Sequence, residues 1–157
     1  MVEQELSQEE IAKRMELMKS NCIFCKIVKK EIPSKIIFED EICMAILDIN
    51  PATTAHLLLM PKEHYMLMPF VPDEVLGHMG IISKYLSDLL KQSFNPEDVT
   101  IFIANGAAAG QKSQHFMMHV IPRYSGDGIN FNISGNSKLT ELELEDLALR
   151  IKKRLET

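Results

Sequence analysis

The chain has 157 residues, 46% of them hydrophobic, which suits one globular domain with a real core. Its formal net charge is −5 with both signs spread along the sequence, so general nucleic-acid binding by phosphate neutralisation is not expected. No apolar run reaches the roughly 18 residues of a membrane span, and the acidic start Met1-Val2-Glu3-Gln4-Glu5-Leu6 is unlike a secretory signal, so a cytoplasmic protein is expected.

Ser7-Gln8-Glu9-Glu10 has the pattern of a capping box and opens a helix to about Lys19, with Ile11, Met15 and Met18 near one face. This N-terminal extension, residues 1–21, is expected to pack on the domain or on a partner. Cys22-Ile23-Phe24-Cys25 then makes a tight turn into a strand or short helix, broken by Glu31-Ile32-Pro33-Ser34. Two strands follow, Ile36 to Glu39 and Ile42 to Asp48, joined at Asp40-Glu41 as a hairpin. After the loop Asn50-Pro51-Ala52-Thr53-Thr54, residues His56 to Met60 read as a buried strand stopped by Pro61.

Residues 73–94 place Val75, Leu76, Met79, Ile82, Leu86, Leu89 and Leu90 at helical spacing, a long amphipathic helix that covers one sheet face. Val99 to Ala104 is the next strand, Asn105 to Gln111 a small-residue loop, and His115 to Arg123 the return strand. Ser125-Gly126-Asp127-Gly128 breaks the chain, and residues 140–155 form a second helix. Short links between consecutive strands favour an antiparallel sheet with helices on one face, an α+β domain. Residues 125–157 are expected to pack on that same domain.

Two groups of residues carry chemistry. In the return strand the period-two alternation turns His115, Met117 and His119 to one side and Phe116, Met118 and Val120 into the core. Two imidazoles around a thioether can bind a phosphate or a metal. The loop Gly106 to Ser113 can bring backbone N–H groups close to an anion, because small residues leave amides open, although an ordinary hairpin loop has the same composition. The second group is Cys22 and Cys25, whose Cys-x-x-Cys spacing suits zinc, a redox pair or two buried thiols. With His56, His64, His78, His115 and His119 as the available imidazoles, a closed four-ligand site is possible. Three cysteines in all, an odd count, fit a reducing compartment better than a disulfide framework, and Cys43 reads as a small buried hydrophobe. His78, inside the long helix, reads as a surface or packing residue. A copper site from His115, Met117, Met118 and His119 is disfavoured because Met118 faces the other way.

These pieces, in this order, resemble the histidine triad (HIT) family of nucleotide-binding hydrolases and transferases. The resemblance runs from about Cys22 to Tyr124 and rests on Cys22-Ile23-Phe24-Cys25-Lys26-Ile27, Glu31-Ile32-Pro33, Leu47-Asp48-Ile49-Asn50-Pro51, His56 through Pro61-Lys62-Glu63-His64, and Gly110-Gln111 leading to His115. It implies a nucleotide-binding domain over 22–124 with the antiparallel HIT-like sheet. Its motif, His-x-His-x-His, places His115 first, His119 third, and Met117 at the middle position, where active members carry the nucleophile.

The resemblance further implies a purine nucleotide, AMP-like, as partner. His56, His119, Asn105, Gly110, Gln111 and Ser113 would line the phosphate site and Asp48 would hold the ribose. Phe24, Ile27, Leu47 and Ile49 would offer the base an apolar slot. Lys112 and Ser113 depart from the small hydroxyl and aliphatic residues usual there. The zinc-carrying branch implies a structural zinc on Cys22, Cys25, His64 and His115, and the family implies a two-fold homodimer. With a thioether in place of the nucleophile, the usual covalent route is expected to be lost or strongly reduced. Three activities stay open: nucleotide binding with reduced hydrolysis, direct water attack assisted by His56 or His119, and a non-catalytic nucleotide-sensing or scaffold role.

Overall fold

The computed structural model describes residues 7–131, 135 and 138–155. The expected N-terminal extension and C-terminal region each include residues outside that set. The chain divides into two compact units, Met1–Asp127 and Gly128–Thr157.

In the first unit, α1 (Gln8–Asn21) opens on the expected capping box: the Glu10 N–H donates to Ser7 Oγ at 3.2 Å, and the Ser7 N–H donates to Glu10 Oε2 at 2.8 Å. None of its residues is buried, and Ile11 and Met15 stay exposed. Lys19, near its end, pairs with Glu63. Cys22 ends this helix and starts α2 (Ile23–Val28), so the Cys-x-x-Cys segment is a short helix.

Five strands form one antiparallel sheet in the order β1-β2-β3-β5-β4. They are β1 (Ile36–Glu39), β2 (Cys43–Leu47), β3 (Leu57–Pro61), β4 (Asp98–Phe102) and β5 (Met118–Arg123). The hairpin between β1 and β2 turns on Asp40, whose Oδ1 accepts from the amides of Ile42 and Cys43 at 2.8 and 2.7 Å. Across the sheet Ile46 pairs with Leu58, Leu58 with His119, and His119 with Phe102, so these four side chains form one row.

The long helix α3 (Asp73–Phe94) covers one face, and Asn95 stops it in the left-handed conformation at φ 48°. Its Met79, Ile82, Leu86 and Leu90 pack with Cys43, Ala45, Leu57, Leu59, Phe116, Met118 and Val120. The opposite face carries a second apolar cluster: Met44, Ile46, Leu58, Met60 and Met117 under Ile27 of α2. No helix among the described residues is long and apolar enough to cross a membrane.

The return strand begins three residues later than its pattern suggests. The Phe116 N–H donates to the Tyr65 carbonyl at 2.6 Å and the His115 N–H to Ser113 Oγ at 3.1 Å, so these amides serve the approaching loop instead of the ladder. The alternation of faces survives: Phe116 and Met118 point to α3 and Met117 to the opposite cluster.

In the second unit, α4 (Glu141–Leu155) opens on another capping box, formed by Thr140 and Glu143. The Glu143 N–H donates to Thr140 Oγ1 at 3.4 Å and the Thr140 N–H to Glu143 Oε2 at 2.7 Å.

Candidate functional site

Two clusters of ionisable side chains lie on the α2 side of the sheet. The first joins Cys22 and Cys25 to His64 and His115, whose donor atoms all lie within 4.8 Å of one another. Cys22 Sγ is 3.5 Å and Cys25 Sγ 3.6 Å from His115 Nδ1, and Cys25 Sγ is 3.2 Å from His64 Nδ1. A tetrahedral zinc ion with ordinary bond lengths separates its sulfur and nitrogen ligands by about 3.6 Å. The donor set therefore fits zinc.

The surroundings favour that state. His115 is fully buried, and its Nε2–H donates to the Pro61 carbonyl at 2.9 Å, which leaves Nδ1 with its lone pair toward the thiols. Burial pulls His115 down to about 4, so it stays neutral. Burial also pushes the Cys25 thiol up, with Cys22 beside it adding to the shift. A cation supplies the charge that makes such a thiolate favourable.

The second cluster is Asp48, His56 and His119. His56 ends the loop before β3 and His119 lies on β5, with Nε2 of the former 3.0 Å from Nδ1 of the latter. An amide can only donate, and the Ala52 N–H reaches His56 Nδ1 at 3.1 Å. That nitrogen therefore carries the lone pair, and Nε2–H of His56 donates to His119 Nδ1. The remaining proton of His119 sits on Nε2, a donor. Asp48 holds its Oδ2 at 3.4 Å from His56 Nδ1 while Oδ1 accepts the Asn50 N–H at 2.9 Å.

Burial is the main force pulling His56 below its usual 6.5, with Asp48 opposing it, and burial pulls His119 down in the same way. Groups that are neutral when folded take up protons on unfolding, so their contribution is complete above about pH 6.5 and is lost as pH falls toward the depressed folded values. The urea midpoint is therefore expected to drop between pH 7.5 and 5. A His56→Asn, His119→Asn double variant should show a shallower drop. An unchanged slope would contradict this assignment.

Met117 lies between the two clusters along the chain, on their side of the sheet, packed with Ile27, Met44, Ile46, Leu58 and Met60. The apolar residues expected to form one slot are not all brought together. Phe24 and Ile27 belong to this cluster, but Leu47 packs on the α3 side and Ile49 is 88% exposed. Ile46, on β2 two residues before Asp48, is the residue that joins Phe24 and Ile27 in this cluster.

The loop after β4 is also arranged differently from a bare anion cradle. Gly106 and Gly110 take φ values of 100° and 89°, which glycine alone adopts readily. Gln111 Oε1 accepts the Gly106 N–H at 2.7 Å, and its Nε2 donates to the carbonyls of Met66 and Ser113 at 2.7 and 2.8 Å. Asn105 Oδ1 accepts the Met68 N–H at 3.1 Å. Both side chains thus brace the loop, and the amides of Ala109, Gly110 and Gln111 close the turn on itself.

His78 is a packing residue: its Nε2 is 2.6 Å from Asp40 Oδ2, tying α3 to the first hairpin. The copper grouping does not form, since His115 joins the cysteines and Met118 lies under α3.

A model of the HIT domain family matches residues 29–126. An uncharacterized HIT-like protein of Methanocaldococcus jannaschii is 41% identical over 124 residues, covering 77% of this chain and 95% of its own. The crystal structure of a histidine triad nucleotide-binding protein from Candida albicans superposes with a TM-score of 0.77 at 31% identity, covering 87% of this chain and 98% of the other. A zinc-bound histidine triad family protein from Mycobacterium smegmatis gives a TM-score of 0.68 at 28% identity, covering 87% and 99%.

Proposed function

Since the chain belongs to the HIT domain family, we propose that it is a zinc-containing member that binds a purine nucleotide such as AMP and has lost, or strongly reduced, the covalent nucleotidyl-histidine route. The observation that carries this reading is the row leading into β5. His115 turns to the cysteines, His119 pairs with His56, and Met117 between them sits in an apolar cluster on the same face. Covalent transfer needs a nucleophile that also leaves readily. A thioether has no proton to manage, and its attack on phosphorus would leave a sulfonium.

The nucleotide site of this reading is domain 22–124. His119 Nε2–H is the donor for the phosphate, Asp48 accepts from the ribose hydroxyls, and Phe24 and Ile27 with Ile46 receive the base. The nucleotide-binding neighbour supports a nucleotide as the ligand. Zinc, supported by the donor set and by the zinc-bound neighbour, would be held by Cys22, Cys25, His64 and His115. Four protein ligands leave no open position, so its role there is structural.

Direct water attack would need a free imidazole lone pair on His56 or His119. The Ala52 amide occupies the one on His56, and His56 occupies the one on His119, which favours binding over this route. A non-catalytic nucleotide sensor fits the same geometry. A homodimer also belongs to this reading: Ile81, Tyr85 and Leu89 stand exposed at i, i+4 and i+8 on α3, and Ile101 is exposed on edge strand β4.

The ribose contact has a direct test. Calorimetric titration should show AMP binding to the wild-type chain, weakened about tenfold or more by Asp48→Asn, since hydrogen bonds to a charged group contribute about 1.5–3 kcal/mol. Equal affinity in the two proteins would remove Asp48 from the site, and no binding to either would sink the nucleotide reading.

A further inference from the structure

Helix α4 has no buried residue, yet it carries an apolar stripe. Leu144, Leu147, Ile151 and Leu155 follow at i, i+3, i+7 and i+11 on one face, exposed by 48, 39, 64 and 81%. A helix of 15 residues is marginal on its own in water, so its apolar face calls for a covering surface. Its charge is divided: Glu141, Glu143, Glu145 and Asp146 lie in the first half, and Arg150, Lys152, Lys153 and Arg154 in the second.

We propose that α4 pairs antiparallel with α4 of a second copy of this chain, the two helices crossing near Ala148. At 3.6 residues per turn, Glu141, Glu145 and Lys152 border the stripe on one side, and Glu143, Arg150 and Arg154 on the other. When two such helices pack antiparallel, like borders meet. Glu145 then faces Lys152 of the partner subunit, and Leu147 packs on the partner subunit's Ile151. In a parallel pair unlike borders meet at equal height. Glu143 then falls between two glutamates and Lys152 between two arginines, and that repulsion selects the antiparallel arrangement. This pairing does not depend on nucleotide binding.

Cross-linking of the full-length, zinc-loaded chain tests it. Under mild oxidant, Ala148→Cys is expected to give disulfide-linked dimers at least tenfold faster than the wild-type chain, whose own cysteines set the background. Leu155→Cys is expected to stay at background, because the two copies of that residue lie about 20 Å apart at 1.5 Å per residue. Adding Glu145→Lys to Ala148→Cys should slow cross-linking about threefold or more, and adding Lys152→Glu as well should restore it. Background cross-linking at position 148 overturns the proposal. So does equal cross-linking at 148 and 155, which indicates a parallel or unspecific contact. Failure of the charge swap to restore the rate removes the assigned register. All four positions are exposed in α4, and unchanged circular dichroism confirms that each variant is folded.

Discussion

Cys22→Ser is expected to strip the chain of zinc and to lower its melting temperature by about 10 °C or more. The argument begins from the donor atoms. The two thiols and two imidazoles come from the junction of α1 and α2, the loop after β3, and the lead into β5, so one ion would hold three separate segments. Structural zinc binds with apparent free energies of about 10–16 kcal/mol in small zinc domains, comparable to the whole stability of a typical fold. Losing one of four ligands removes a large part of that, and each kcal/mol lost lowers the midpoint by about 2–4 °C in a chain of this size. Elemental analysis of carefully prepared wild-type protein should return about one zinc per chain. His78→Ala should keep that zinc, since His78 pairs with Asp40 away from the donor set. A wild-type chain without metal, or Cys22→Ser with full zinc and an unchanged melt, would contradict the assignment.

Met117→His is expected to produce the second large effect, a gain in turnover of an adenosine phosphoramidate of about a thousandfold or more. Nucleophile deletions in covalent enzymes cost at least that much, so restoring the group in an otherwise intact site should recover it. The surroundings suit the exchange. His119 follows two residues later on the same face and already presents a donor, and Asp48 lies beside His56. Imidazole replaces a thioether against Ile46, Leu58 and Met60, which sacrifices apolar packing, so the variant is also expected to be less stable than the wild type. A folded Met117→His chain that binds AMP and shows no gain would mean that the braced loop after β4, not the missing imidazole, limits the chemistry.

Much of this architecture is legible in the sequence. β1 occupies its expected span, α3 its expected 73–94, and the capping box at Ser7 forms as its spacing requires. Local signals sufficed there because period, cap and turn residues are short-range properties. The departures come from contacts between distant segments. β5 starts late because the Phe116 amide is drawn to the Tyr65 carbonyl, and no local pattern encodes that bond. Leu47 packs on the α3 side while Ile46 joins Phe24 and Ile27, because a one-residue step along a strand reverses the face. Gln111 and Asn105 brace the loop through Met66 and Met68, partners more than thirty residues away. The Ala52 amide, which sets the tautomer of the His56–His119 pair, has no side-chain signal at all.

The central claim is that Met117 ends the covalent route while the site still holds a nucleotide. Its most direct test is intact-mass analysis of the wild-type chain, rapidly denatured during incubation with an adenosine phosphoramidate, beside Met117→His treated identically. The predicted result is an unmodified wild-type chain that nevertheless binds AMP, and a nucleotidyl adduct on the variant. A nucleotidyl adduct on the wild-type chain, formed and consumed during turnover as fast as on the variant, would contradict it.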